Sequence, residues 1–246
     1  MGGKYAAARG KGAPCRSPEG GRPGSNGGVD FETVRAKLRA HGRPAAFRGG
    51  ELLCRAGEES HEVLLIEAGS VKIVLPGQNG VDSILGFYGP GAVLGEMGVL
   101  SGASRSASIV ARTHGRAVHV EGQRFLALAD EDPEVLRFVT DLLRHRLSLA
   151  DRRQEYRASL DVPARLARQL LDLARELGER AGAGWVVRGV TQAELAQLVT
   201  ASPKSVEYGL ALLRQEGVLL TDRRYYHIVD ADALERKLAD PGWRPG

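Results

Sequence analysis

The chain has 246 residues, 43% of them apolar, which is enough to build two domains that each bury a core of their own. It contains no uninterrupted run of the roughly 18 apolar residues that span a bilayer, and no apolar segment follows the basic residues near the N-terminus, so we expect a cytoplasmic protein without a membrane partner. Its two cysteines, Cys15 and Cys54, form no CxxC pair and have no histidine at metal-ligand spacing, which argues against a disulfide scaffold, a zinc finger and an iron–sulfur cluster.

Residues 1–28 are predicted to be a disordered basic tail. They are rich in Gly, Ala and Pro and have almost no large apolar side chains, a composition that cannot offset the entropy cost of ordering. They hold five basic residues and one acidic residue, and so account for the whole formal net charge of +4. The tail is interpreted as a solvated segment or an over-long start, and alternatively as an arm that contacts nucleic-acid phosphate.

Short apolar or alternating runs, separated by glycine-containing turns, extend from about residue 47 to residue 120. Turn residues recur roughly every 8 to 12 positions, which is typical of an antiparallel β-barrel or jelly roll. The predicted strands are Glu51–Cys54, Val63–Ile66, Val71–Leu75, Ser83–Tyr88, Ala107–Ala111 and Ala117–Glu121.

One long helix is predicted next. Asp132 and Pro133 form a helix cap with proline in the first turn, and no Gly or Pro interrupts the chain from there to about Ala158. The helix lies on its own barrel or pairs with a second copy in a homodimer; arginines within its coiled-coil spacing, which need an anionic partner, favour the dimer. The residues at seam spacing are Val135, Val139, Leu142, Arg146, Leu149, Arg153 and Tyr156.

The segment from Leu160 to Pro163 ends the long helix and caps the next one, which runs through periodic leucines to Gly178. We therefore place a domain boundary near Asp161. From that residue onward twelve Lys/Arg balance twelve Asp/Glu, so any positively charged face in this domain is a local patch.

Two closely joined helices follow. Thr191 and Glu194 form a capping box, and Ser202 with Pro203 caps a second helix that ends at Gly217. This arrangement predicts a helix-turn-helix, in which the start of the second helix enters the major groove of double-stranded DNA. The candidate DNA contacts are Ser202, suited to a phosphate, and Lys204, Ser205 and Tyr208.

A hairpin is predicted after the second helix, with Arg223 and Arg224 at its tip as further DNA contacts. Together these elements form a winged helix. The alternative is a helical hairpin with no nucleic-acid role; the two successive capped helix starts and the arginine-tipped wing favour DNA binding.

The most specific motif in the chain is Gly95–Leu100 followed by Arg105–Ser108. A carboxylate such as Glu96 accepts hydrogen bonds from sugar hydroxyl groups, and an arginine beside a hydroxyl group binds a phosphate. Small neighbours let backbone amides approach the anion. The motif predicts a ribose-phosphate site, and the alternative is a surface ion pair between Glu96 and Arg105.

With these motifs in place, residues from about Phe47 to Val229 resemble the cyclic AMP receptor protein/FNR (CRP/FNR) family. The likeness rests on Gly57-Glu58, Gly69-Ser70-Val71, the ribose-phosphate motif, the long helix, the Leu160-Asp161-Val162 hinge and the winged helix, in the family's order. It implies an α+β protein with a cyclic-nucleotide-binding β-barrel (jelly roll) in residues 29–132, a central dimerisation helix in residues 133–160 and a winged helix-turn-helix DNA-binding domain in residues 161–246.

The resemblance also implies a function: a homodimeric, ligand-responsive transcriptional regulator that binds cyclic AMP in the barrel, binds operator DNA and engages RNA polymerase. Gly95 and Glu96 would contact the ribose, Arg105 and Ser106 the cyclic phosphate, and Arg146 would point towards the ligand. The complete set of candidate ligand residues is Gly95, Glu96, Met97, Arg105, Ser106, Arg146 and Asp151.

Two departures from the family pattern bear on these expectations. Ala150 and Asp151 replace hydroxyl residues near the adenine, and Asp151 either accepts from the adenine amino group or excludes the ligand. Pro203, Lys204 and Tyr208 replace the usual recognition residues, which predicts an unusual operator. A family member that is constitutive or senses another nucleotide therefore remains the alternative.

The sequence carries no catalytic motif: it lacks a Walker A loop, an HExxH and a GxSxG, and its six histidines are scattered. We therefore expect no enzyme, no bound metal and no cofactor other than the effector. The alternative from a different class is that the barrel is the regulatory module of an enzyme.

Overall fold

The structure is a computed structural model that describes residues 31–77, 82–240 and 242–243. The predicted basic tail, residues 1–28, lies outside the described residues. The fold is mixed α and β, and the strand pairs in its three sheets are all antiparallel.

Two four-stranded sheets form the N-terminal barrel. The first sheet has the order β1 (Arg43–Phe47), β8 (Gly115–Glu121), β3 (Glu62–Ala68), β6 (Val93–Leu94). The second has the order β2 (Leu52–Cys54), β7 (Ser108–Ala111), β4 (Val71–Leu75), β5 (Ser83–Tyr88). The six predicted strands are present with ends shifted by at most two residues, whereas β1 and β6 were not predicted.

Strand β3 shows how the barrel divides its core, because successive side chains of a strand point to opposite faces. Leu64 and Ile66 pack inside the barrel with Val71 and Ile109 of the second sheet. Val63 and Leu65 point the other way, towards the surrounding helices. These helices are α1 (Phe31–His41), α2 (Glu96–Ser101), α3 (Gly122–Glu131) and α4 (Pro133–Ser159).

Helix α4 is the predicted long helix, and Asp132 caps it by accepting a hydrogen bond from the backbone N–H of Glu134 at 2.9 Å. Its first half lies on its own barrel, where Val135 and Val139 are buried. These two residues are therefore unavailable to a second copy, and their assignment to a dimer seam was wrong. The seam spacing did not reveal that the helix first crosses its own domain.

The C-terminal domain packs helices against a small sheet. Asp161 and Ser202 cap α5 and α7 by accepting from backbone N–H groups, and the capping box of Thr191 and Glu194 at the start of α6 is present in both directions. Each cap of this kind contributes about 1 kcal/mol. The elements are α5 (Val162–Leu177), β9 (Glu179–Ala181), β10 (Gly184–Arg188), α6 (Gln192–Val199), α7 (Pro203–Gln215), β11 (Leu219–Asp222), β12 (Tyr225–Ile228) and α8 (Ala231–Ala239).

The two domains are packed against each other. Ile84 and Phe87 of β5 belong to the same buried cluster as the core of the C-terminal domain. The guanidinium of Arg112 lies 4.4 Å from the centre of the Phe87 ring, and Lys72 donates to Glu194 at 3.2 Å across the contact. The capping box of α6 therefore also takes part in the contact between the domains.

Candidate ligand and nucleic-acid sites

The ribose-phosphate motif folds as a turn and a short helix after β6. Gly95 has a φ of 86°, and a Cβ atom there would overlap the Nη1 atom of Arg105. Gly98 lies so close to Ser60 that a Cβ atom would overlap its hydroxyl group. Both glycines are thus required by the backbone conformation or by close packing.

The side chain of Arg105 is buried, with 6% of the residue exposed, and is held by hydrogen bonds to two carbonyl groups. Its Nη1 donates to the carbonyl of Gly95 at 2.9 Å, and its Nη2 donates to the carbonyl of Glu62 at 2.6 Å. Among the described residues no carboxylate oxygen lies within 4 Å of its guanidinium. A buried cation whose hydrogen bonds go to neutral carbonyls gains energy from an anionic ligand.

Glu96 is 0% exposed and pairs with Arg146, not with Arg105 as the surface ion-pair alternative required. Its Oε1 accepts from Nη1 of Arg146, while its Oε2 is buried and has no hydrogen-bond partner. Leaving a charged oxygen buried and unsatisfied costs about 1 to 3 kcal/mol, or more. A hydroxyl group that reached this oxygen would satisfy it.

Arg146 connects the motif to the central helix. Besides its bond to Glu96, its Nη2 donates to the carbonyl of Val93 at 2.6 Å, and its guanidinium lies 5.7 Å from the centre of the Tyr88 ring. Burial raises the pKa of Tyr88, and the nearby charges of Arg146 and Arg153 oppose that shift.

The remaining candidate ligand residues lie in two places. Ser106 and Met97, which is 50% exposed, line a cleft of about 320 Å³ between the motif and Leu143 of α4. Asp151 is exposed, and it lies five residues beyond Arg146, which is about 140° around a helix. Within a single chain, Asp151 is therefore not brought to the other candidates.

Four of the predicted DNA contacts lie at the start of α7 or in its cap. Lys204 and Tyr208, the latter 64% exposed, point outward from α7 one turn apart, and Ser205 donates its backbone N–H to Ser202 at 3.1 Å. The opposite face of α7 packs closely on α5 at Gly209, where a Cβ atom would lie 2.7 Å from Leu166. Close packing on α5 thus fixes which residues of α7 face outward.

Strands β11 and β12 form the predicted wing, and Arg223 and Arg224 are exposed in the turn between them. Arg224 adopts a φ of 54°, and the N–H of Arg223 donates to Asp222 at 2.6 Å. The turn places two cations at the tip without an ion pair to either within the described part of the chain.

Three features of these sites were not predicted from the sequence. They are the pairing of Glu96 with Arg146, the packing of β5 on the C-terminal domain, and the role of Glu194 in that contact. Each depends on residues more than 40 positions apart, and no local spacing or capping signal reports such a contact.

In the described residues no group of three or more His, Cys, Asp or Glu could hold a metal ion. No described helix combines the length and apolarity needed to span a membrane.

Comparisons with known proteins agree on the order of the domains. A cyclic nucleotide-binding domain family matches residues 44–132, and a Crp-like helix-turn-helix domain family matches residues 164–237. A CRP-like cAMP-activated global transcriptional regulator of Mycobacterium tuberculosis is 30% identical over 217 residues, covering 88% of this chain and 96% of the relative.

Two solved structures have a similar fold. The c-di-GMP-responsive global regulator CLP of Xanthomonas campestris has a TM-score of 0.68 and 26% identity, covering 81% of this chain and 99% of that one. A CRP-family transcriptional regulator from Thermus thermophilus has a TM-score of 0.66 and 27% identity, covering 80% of this chain and 97% of that one. The matched domains and relatives are regulators of transcription, not enzymes.

Proposed function

Because this chain belongs to the CRP/FNR family of transcriptional regulators, we propose that it is a homodimer that binds cyclic AMP in its barrel and operator DNA through its helix-turn-helix. In this proposal residues 29–132 sense the ligand, residues 133–160 join the two copies through their second half, and residues 161–246 bind DNA. RNA polymerase is the partner through which the bound dimer acts on transcription.

The observation that carries the ligand proposal is the state of two buried charged residues of the ribose-phosphate motif: in the described part of the chain, Glu96 has an unpartnered oxygen and Arg105 has no carboxylate in contact. The buried Oε2 of Glu96 has no donor, and Arg105 has no carboxylate within 4 Å among the described residues. A ribose hydroxyl group satisfies the first and a cyclic phosphate the second. Ser106 lies beside Arg105 and would add a hydroxyl donor.

Binding would require a local rearrangement, since Arg105 now donates to the carbonyls of Gly95 and Glu62. A phosphate would exchange these two neutral acceptors for an anionic one, and charge-assisted hydrogen bonds are roughly twice as strong as neutral ones. The ligand would thus free two carbonyls of the barrel wall and shift the motif.

A chain of charged and aromatic groups would carry that shift towards the DNA-binding domain. Glu96 pairs with Arg146, Arg146 lies against Tyr88, and the charge of Arg153 acts on both Tyr88 and Glu176 of α5. Because α4 carries both arginines, rotation or translation of this helix would alter the contacts of α5. A coupling of about 1 to 3 kcal/mol between ligand and DNA is typical of such two-state regulators.

The dimer proposal rests on the second half of α4. Leu147 is 64% exposed on this helix, whereas Leu149 of the predicted seam lies about 200° around the helix from it and is partly buried. Apolar side chains on an isolated helix favour a partner helix, as in a coiled coil. Asp151, which is far from the motif within one chain, lies one turn beyond Leu147 on the same face of α4 and would in such a pair lie beside the partner helix.

The DNA proposal assigns different roles to the two basic elements. Lys204, Ser205 and Tyr208 at the start of α7 would contact base edges, and Arg223 and Arg224 of the wing would contact phosphates. In a symmetric dimer the two half-sites would lie about 34 Å apart, one turn of B-DNA.

A second candidate effector is a cyclic dinucleotide. The similar structure from Xanthomonas campestris is named as c-di-GMP responsive, and Asp151 stands where family members that respond to cyclic AMP usually have a hydroxyl residue. In this alternative Arg105 and Glu96 keep their roles, and the base contacts differ.

Isothermal titration of the full chain with cyclic AMP, cyclic GMP and cyclic di-GMP tests the ligand proposal. We expect cyclic AMP to bind the wild type and the Arg48→Ala variant, whose exposed side chain makes no ion pair within the described residues. Arg105→Ala should lose binding while keeping its circular dichroism spectrum. Heat from cyclic di-GMP alone would select the second candidate, and equal affinity of Arg105→Ala would contradict the phosphate role.

A further inference from the structure

A small cleft lies at the hinge, where the end of α4, the start of α5 and the end of α6 meet. We call it the hinge cleft. Its volume of about 20 Å³ holds roughly one water molecule or one oxygen atom of an anion bound across its mouth. Its polar lining differs entirely from the ribose-phosphate motif and consists of Arg153, Tyr156, Arg157, Arg165 and Gln169.

The charge of the hinge cleft is uncompensated at close range. Within the described residues none of its three arginines has a carboxylate oxygen within 4 Å, and the Nε atoms of Arg153 and Arg165 are buried without a hydrogen-bond partner. Asp172 and Glu176 act on Arg153 only at longer range. Arg153 and Arg157 are also one turn apart on α4, a spacing at which like charges destabilise a helix.

Gln169 provides an independent observation. Its side chain is only 7% exposed, it lines the hinge cleft, and its amide makes no hydrogen bond in the described part of the chain. A polar side chain this buried normally has a partner, so its amide is available to a group that enters the cleft. It lies one turn beyond Arg165 on α5, on the same face.

The Tyr156 hydroxyl group adds a further donor at the edge of the cleft. The Tyr156 ring is fixed by the guanidinium of Arg168, 5.6 Å from its centre, whereas its hydroxyl group has no hydrogen-bond partner among the described residues. The cleft thus gathers guanidinium, amide and phenol donors around a space of roughly one oxygen atom.

From this arrangement we propose that the hinge cleft binds a phosphate group, separately from the barrel ligand. Several arginine N–H groups converging on a compact oxyanion are typical of phosphate recognition. The space admits phosphate oxygens but no nucleoside, so the rest of the phosphate-bearing molecule lies outside. The source is a free phosphate compound or the DNA backbone, which share this chemistry.

Occupancy of the cleft would fix the angle at the hinge. Arg153 and Arg157 belong to the central helix, and Arg165 and Gln169 belong to the first helix of the DNA-binding domain. A phosphate held by both helices favours the conformation in which they are close, and so shifts the equilibrium between conformations of the two domains.

The first test uses inorganic phosphate and pyrophosphate as probes on the full chain, without nucleotide or DNA, against chloride at the same ionic strength. We expect each probe to raise the melting temperature of the wild type and to bind once per chain. Arg165→Gln should weaken binding at least tenfold, and Arg144→Gln, an exposed arginine of α4 outside the cleft, should leave it unchanged.

Gln169→Glu gives a readout that a purely structural role would not produce. The new carboxylate supplies the missing anion from within, so this variant should melt higher than the wild type in phosphate-free buffer. It should also lose its response to phosphate. A lower melting temperature together with an unchanged phosphate response would overturn the proposal.

The second test distinguishes the two sources. The source is the DNA backbone if neither probe binds the free protein but the cleft affects DNA binding. In that case Arg165→Gln reduces the slope of log affinity against log salt concentration by about the value of one phosphate contact, and Arg144→Gln leaves the slope unchanged. The proposal fails if neither measurement responds to Arg165→Gln, or if Arg105→Ala alone removes phosphate binding. That failure would leave the barrel and DNA proposals untouched, because their tests do not use the hinge cleft.

Discussion

At the scale of single residues, the clearest constraint is on Gly95. Gly95 and Gly57 both have a φ of 86°, but only Gly95 has a neighbour, Arg105, in the space that a Cβ atom would take. Substitution at either position costs about 1 to 2 kcal/mol for the left-handed backbone conformation. Only substitution at Gly95 also displaces a buried guanidinium from its carbonyl partners.

We therefore predict that Gly95→Ala lowers the free energy of unfolding in urea by more than Gly57→Ala does, by about 1 kcal/mol or more, as expected for a lost charge-assisted hydrogen bond. Gly95→Ala should also change nucleotide affinity, because it displaces the guanidinium of Arg105. Equal destabilisation by the two substitutions would mean that Arg105 relaxes without cost.

Tyr226 gives a prediction about pH. Burial, with a smaller contribution from the charge of Glu194, raises its pKa to about 12. Because the folded-state pKa lies above the ordinary value of 10, the neutral phenol stabilises the fold fully below pH 10, and this contribution is lost as the pH rises towards 12.

Relative to Tyr226→Phe, the wild type should lose about 2 kcal/mol of unfolding free energy between pH 10 and pH 12. Chemical denaturation of both proteins across this pH range measures the difference between their unfolding free energies. The titration of other groups is common to both proteins and cancels in that difference. Parallel curves for the two proteins would show that Tyr226 titrates normally in the folded state.

At the scale of secondary-structure elements, the apolar part of the contact between the domains comes from one strand, β5. Phe87 of β5 is 2% exposed and lies in the core cluster of the C-terminal domain, although it belongs to the barrel. Phe47 is a matched control, because it is 4% exposed and packs within the barrel alone.

We predict that Phe87→Ala separates the unfolding of the two domains. Either Phe→Ala change should lower the free energy of unfolding by about 3 to 5 kcal/mol. Phe87→Ala should produce two calorimetric transitions, whereas Phe47→Ala should lower the melting temperature and leave a single transition. A single transition in Phe87→Ala would show that other contacts hold the domains together.

Most elements with local signals were predicted, although helix α8 was missed despite its Asp230 cap. Asp132, Asp161, Thr191 and Ser202 mark helix starts through their own hydrogen bonds, so the sequence predicted these helices. Helix α3 begins without a side-chain cap, and β6 has two residues, too few for a periodic pattern. The chemistry of Glu96 and Arg105 was readable from the motif, but the partner of Glu96 lies 50 residues away on α4 and had no such signal.

At the scale of the whole molecule, the proposed dimer predicts a role for exposed leucines on α4. Leu147→Glu should raise the dimer dissociation constant at least tenfold, because it places a charge on the exposed apolar face of α4 that is proposed to meet the partner helix. Leu75→Glu is the control, since Leu75 is also exposed but lies on the barrel. Sedimentation analysis of the two variants measures both dissociation constants. Equal dissociation constants would contradict the proposed contact at Leu147.

The central claim is that a nucleotide in the barrel controls DNA binding, and one measurement tests it directly. DNA selected by this protein from a random pool is labelled, and its affinity is measured by fluorescence anisotropy at fixed salt with and without cyclic AMP. We predict that cyclic AMP raises the affinity of the wild type about tenfold, as a coupling of about 1.4 kcal/mol implies, and leaves that of Arg105→Ala unchanged. The same affinity for wild type with and without cyclic AMP and cyclic di-GMP would contradict the claim.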